Sequence, residues 1–105
     1  MTQTTEKASK ARAILMKPED NVATALETIA AGSEVVLQAD GRPVTIRIRQ
    51  DIPFGHKFAI RGIAKGEHIT KYGAPIGAAT CDIPVGHHTH VHNMVGLRGR
   101  GDLKD

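Results

Sequence analysis

The chain has 105 residues, is 40% hydrophobic and 24% charged, and carries a formal net charge of +3. That length gives one domain with one modest core, too small to enclose a large active site by itself. Its single cysteine excludes an internal disulfide, no apolar run is long enough to cross a bilayer, and two Phe and one Tyr are too few to stack along a nucleic acid.

A cytoplasmic setting is therefore expected, with no membrane or nucleic-acid partner. Mild basicity suits an acidic substrate or an acidic protein surface.

Residues 1–12 are polar and aperiodic and read as a flexible tail, followed by a short strand in "ARAILM". Val22, Ala25, Leu26 and Ile29 then recur at the spacing of one helical face. Pro18 and Asp20 stand at the start of that run and Gly32 at its end, so a helix is predicted over Asp20–Ala31. "EVVLQADGRPVTIRIRQ" reads as a hairpin about the Asp40–Gly41 turn. In its second strand Val44, Ile46 and Ile48 alternate with Thr45, Arg47 and Arg49, which places the arginines toward solvent or a partner.

One pattern recurs four times, an Ile followed three residues later by Gly: "IAAGSEV", "IPFGHKF", "IAKGEHI" and "IPVGHHT". Each reads as a strand-entry turn, with the Ile as an apolar anchor and the Gly supplying a positive φ. Two copies share the longer string "DIPFGH" and "DIPVGH". Unequal separations argue against a solenoid and for a compact β structure folded back on itself.

The fourth copy runs into "GHHTHVHN", which holds four of the six histidines. As a strand, His88, His90 and His92 share one face and Val91 packs on the other, with His87 in the turn. Alternate residues of a strand lie roughly 6.6 Å apart, so two imidazoles can converge on one ion, His88 with His90 or His90 with His92. Three in a row span about 13 Å, so a third ligand must come from elsewhere. His56, in the matching "DIPFGH" turn, is the internal candidate. Such a face also suits an anionic substrate, since imidazoles donate to carboxylates and titrate near neutrality. Cys81 reads as a small buried hydrophobe, and Tyr72 either as a core residue or as a contact to substrate.

"DNVATAL", "DIPFGHKFAIRGIAKGEHITKYGAPIGAAT" and "HTHVHN" together resemble the SAF-type N-terminal domain of the altronate and galactarate dehydratases. The resemblance runs from about Met16 to Asn93. It implies a mainly β fold of the β-clip type with one short helix, over residues 13–95, with 96–105 as a second tail. It implies a hydro-lyase acting on sugar acids. It further implies a larger catalytic partner subunit carrying most of the machinery and a divalent metal, usually iron. This chain is then a small subunit, inactive alone, with the small subunit of sulfolactate sulfo-lyase as its rival and a non-catalytic acidic-sugar or protein-binding module as the third reading. Self-association is left open.

The polar positions matching the family are His56, Lys57, Lys71, Tyr72, His88, His90, His92 and Asn93. Of these, His88, His90, His92 and Lys71 are candidates for catalysis, and His56, Lys57, Tyr72 and Asn93 for substrate binding. His90 and His92 are the candidates for any metal held by this chain. Two departures stand beside them: His87 where the family commonly has Glu, and Thr89 where it commonly has Val.

Overall fold

The computed structural model describes residues 10–39 and 41–96. Ten short strands account for its regular structure: β1 (Lys10–Ala11), β2 (Ala13–Ile14), β3 (Val22–Ala25), β4 (Glu34–Ala39), β5 (Arg42–Arg47), β6 (Lys57–Ala59), β7 (His68–Lys71), β8 (Ala74–Ala79), β9 (His88–Thr89) and β10 (Met94–Gly96). They form three small sheets, ordered β1-β4-β5, β2-β3-β6-β9 and β10-β8-β7. Only the β1–β4 pair is parallel among them. Paired backbone begins at Lys10, within the segment read as a tail; residues 1–9 and 97–105 lie outside the described residues.

The helix predicted over Asp20–Ala31 is not formed. Val22–Ala25 is a strand between β2 and β6, and the chain bends at Leu26 and Glu27 before Ile29 bridges Ile52. The apolar spacing was real but its geometry was not helical. Val22, Ala23 and Ala25 are all buried, which a strand covered on both faces requires, whereas Leu26 is exposed. The start signal was also real but acts at long range. Asp20 is fully buried, and its carboxylate accepts hydrogen bonds from the backbone N–H groups of Lys17, Tyr72 and Gly73. It thereby caps the turn between β7 and β8, where Tyr72 (φ 59) and Gly73 (φ 73) both adopt the left-handed conformation of a type I′ hairpin. Gly32 ends no helix; it is a turn glycine.

The four Ile-x-x-Gly segments form four equivalent clasps. In each, the residue after the glycine donates its N–H to a carbonyl three residues back, as Ser33 does to Ala30, His56 to Pro53, Glu67 to Ala64 and His87 to Pro84. The glycines Gly32, Gly55, Gly66 and Gly86 all have φ between 84° and 95°. Each clasp then grips one residue of another segment from both sides. Gly32 N–H donates to Ile48 O and Ile48 N–H to Ser33 O; Gly55 and His56 hold Ala25 in the same way, Gly66 and Glu67 hold Ala79, and Gly86 and His87 hold Ala59.

The clasps work in pairs. Ile29 and Ile52 exchange both backbone hydrogen bonds, as do Ile63 and Ile83. The aspartate of each "DIP" string serves its partner clasp: Asp51 accepts from Ala31 N–H and Asp82 from Lys65 N–H, both at 2.9 Å. All four isoleucines are buried, two in each of two apolar clusters. The first cluster centres on Phe58, Val35, Ile46 and Ile48, the second on Val22, Ile69 and Ala79. Cys81 is exposed rather than buried.

Candidate functional site

The second and fourth clasps release His56 and His87 at their exits, and β6 and β9, which follow them, pair antiparallel. Lys57 stands opposite Thr89 and Phe58 opposite His88. That register brings the two histidine-bearing segments together.

The strand expected from His88 to Asn93 is shorter than the alternation implied. β9 ends at Thr89, and His90–Asn93 is a turn in which the N–H groups of Asn93 and Met94 both donate to His90 O. Thr89 is fully buried, while Val91 is 80% exposed, so Val91 does not pack against the core. The cause is Asn93. Its buried side chain accepts from His90 N–H at 2.9 Å and donates to His88 O at 2.7 Å, folding the chain back on itself. Its amide is thus spent on the backbone of the loop that carries the histidines.

That turn does what an extended strand would not. The rings of His56 and His90 stack with centroids 4.0 Å apart, those of His56 and His88 lie 5.0 Å apart, and those of His88 and His90 lie 5.5 Å apart. His56 Nδ1 and His88 Nε2 share a hydrogen bond of 2.8 Å, so one nitrogen donates and the other accepts. One ring nitrogen from each of His56, His88 and His90 falls within 4.8 Å of the others. His92 stays outside that trio; it is exposed, and its ring leans on His88 with centroids 5.0 Å apart. Gln50 Oε1 accepts the backbone N–H of His88 at 2.9 Å, a support for which the sequence carried no signal.

The field around the trio is positive. Burial lowers the His88 pKa to about 4, aided by charge on His92, His56, His90 and Lys57. Burial also lowers the pKa of His90, with contributions from His56, Lys57 and His92. Lys57, half-buried on β6, is lowered by burial and then by the charge on Lys71. Lys71, at the end of β7, holds its Nζ 5.6 Å from the centre of the exposed Tyr72 ring. Thr24, opposite Lys57 on β3, has a buried hydroxyl with no hydrogen-bond partner among the described residues. His56, His88 and His90 thus sit with Lys57 in surroundings whose charge is positive, which suit an anionic group.

The trio also has the donor set for a borderline divalent metal such as zinc or ferrous iron, which imidazole suits. It contains no carboxylate for a hard cation. The 2.8 Å contact of His56 with His88 is a hydrogen bond, and the rings must part slightly to share an ion. His56, His88 and His90 are the residues that fit one; His92, expected as a ligand beside His90, is not in the set.

Residues 11–97 match the family model described as the altronate/galactarate dehydratase SAF domain. The chain is 53% identical over 74 residues to altronate dehydratase of Escherichia coli (strain K12), covering 70% of this chain and 14% of that protein. It is 45% identical over 80 residues to altronate dehydratase of Bacillus subtilis (strain 168), covering 76% and 15%. To (2R)-sulfolactate sulfo-lyase subunit alpha of Paracoccus pantotrophus it is 36% identical over 58 residues, covering 55% of this chain and 87% of that subunit. The chain thus spans about one seventh of the altronate dehydratases it matches and most of a sulfo-lyase subunit. With most of its length matched by the family model, the chain belongs to the altronate/galactarate dehydratase SAF domain family.

Proposed function

We propose that this chain is the small subunit of a sugar-acid dehydratase of the altronate and galactarate type, completing a β-elimination site with a larger catalytic subunit in the cytoplasm. The observation that carries this reading is the meeting of His56, His88 and His90 from two separate segments, with Lys57 in their field. Elimination from a sugar acid removes the proton beside a carboxylate and expels a hydroxyl one carbon away. The carboxylate then needs cationic partners, and the leaving hydroxyl needs a proton.

Lys57 and Lys71 suit the first task. A bound carboxylate offsets their mutual repulsion, and the part of the Lys57 shift that arises from Lys71 relaxes. His90 suits the second once the substrate carboxylate is bound. That negative charge offsets the neighbouring positive charge that lowers the His90 pKa, so the ring can hold the proton it gives up, with His56 stacked against it and held in turn by His88. His88 itself remains neutral down to a pH of about 4, so it acts as an orienting hydrogen-bond partner rather than a proton donor at neutral pH. His92 and Tyr72 stand at the exposed margin, suited to contact substrate or partner. Iron, if held by this chain rather than by the larger subunit, would sit on His56, His88 and His90 and polarise the substrate's oxygens.

Two features favour a second reading, as the small subunit of a sulfolactate sulfo-lyase. This chain covers 87% of one such subunit, and the chemistry is the same elimination with sulfite departing. Sulfite leaves more readily than hydroxide, so the proton donor would matter less. Co-expression with a large subunit and assay against altronate, galactarate and sulfolactate tests both readings. His90→Ala is expected to lower dehydratase turnover about a hundredfold while leaving the fold intact, and to affect sulfite release much less. Turnover by this chain alone, or none of the three acids consumed by the complex, would sink the proposal.

A further inference from the structure

Apart from the imidazole trio, Arg47 at the end of β5 and Arg49 just beyond it line a cavity. It measures 580 Å³ and is bounded by Arg47, Arg49, Pro84, Val85 and His87. Among the described residues, none that lines it is acidic. Arg47 and Arg49 lie two residues apart in an extended segment, so their side chains project to the same side, as the alternation with buried Ile46 and Ile48 requires.

The fourth clasp sets the opposite wall. Arg49 N–H donates to Gly86 O at 2.9 Å, and Arg49 Cγ stands 3.1 Å from where a Cβ on Gly86 would be. A Cβ there would also collide with the Arg47 carbonyl oxygen. Gly86 is thus what lets the arginine segment lie directly against the clasp that bears His87. Two arginines and a histidine line one opening, with Pro84 and Val85 as its apolar side. Guanidinium groups present paired N–H donors that match the oxygens of a carboxylate, sulfonate or phosphate.

We propose that this cavity is a binding site for a small oxyanion, a carboxylate or phosphoryl group, separate from the imidazole trio and independent of the dehydratase reading. Arg47 and Arg49 supply the paired donors, and His87 adds a third. The fourth clasp then serves two sites at once: His87 at its exit faces the anion cavity, and His88, the next residue, reaches the trio.

The test is a ¹H–¹⁵N NMR titration of the full chain with inorganic phosphate and, separately, with galactarate, at constant ionic strength against chloride. Shifts are expected at Arg47, Arg49, Val85 and His87. Arg47→Ala and Arg49→Gln, which keeps the aliphatic stem over Gly86, are each expected to weaken binding about tenfold or more. Arg61→Ala removes an exposed charge elsewhere and is expected to leave binding unchanged. Response to both anions supports a general oxyanion site, and response to one alone assigns it to that chemistry. No shifts beyond those of chloride would overturn the proposal. So would binding that survives both pocket variants, or one that Arg61→Ala weakens equally.

Discussion

Asn93 shows how much of the candidate site is built by a residue buried behind it. Two hydrogen bonds from one buried amide decide where His88 and His90 point. Asn93→Ala is expected to leave the His90 N–H and His88 carbonyl without partners, at about 1–3 kcal/mol of stability, and to scatter the imidazoles. Chemical denaturation and the His90 side-chain resonances read both effects. Val91→Asp, by contrast, is expected to melt within about one degree of the parent, because a side chain 80% exposed buries no charge. His88 makes stability depend on pH. Its folded pKa of about 4 lies below the ordinary 6.5, so the unfolded chain binds the proton more readily. The melting temperature is therefore expected to fall as pH drops from 6.5 toward 4 and to level off below that. His88→Gln should flatten this slope, and an unchanged slope would show that other groups set it.

Among the elements, the four clasps were legible and β3 of the four-stranded sheet was not. The Ile-to-Gly spacing is local, and the positive φ it demands is a property of one residue, so the sequence displays it directly. Val22–Ala25 carries the same apolar spacing a helix would, and only its burial against β2 and β6, from distant parts of the chain, makes it a strand. Burial on both faces overrides local propensity. The last strand was misjudged for a related reason: the turn that ends it depends on the Asn93 side chain, which alternation cannot register. Convergence of His56 on that turn was nonetheless readable from the repeated "DIP-x-GH" string. The clasps differ in crowding. A Cβ on Gly66 meets nothing within 4 Å, whereas one on Gly86 strikes the Arg47 carbonyl oxygen. Gly66→Ala is expected to cost about 1 kcal/mol from its φ alone, and Gly86→Ala several times that. Equal losses in urea denaturation would remove the special role of Gly86.

At the scale of the molecule, two apolar clusters share their strands. Ala23 and Ala25 of β3 face the first cluster while Val22 faces the second, and on β6 Phe58 joins the first and Ala59 the second. Neither cluster can open without breaking strands that hold the other. Calorimetry is expected to give a single transition, lowered by Phe58→Ala and by Ile83→Ala alike, with the Phe58 change costing about 3–5 kcal/mol. Two separable transitions would show that the clusters fold independently.

The grip of each clasp is made by main-chain atoms, and its exit residue is Ser33, His56, Glu67 or His87. Those exits are four equivalent sockets on one frame, and inheritance has fitted imidazole to two of them. What the molecule presents to its surroundings can therefore be re-equipped one socket at a time, without renegotiating how the chain folds. Ser33→His, which disturbs none of the clasp's main-chain bonds, should be accepted with little change in melting temperature. It would install a third imidazole at a clasp exit whose residues take no part in the histidine trio.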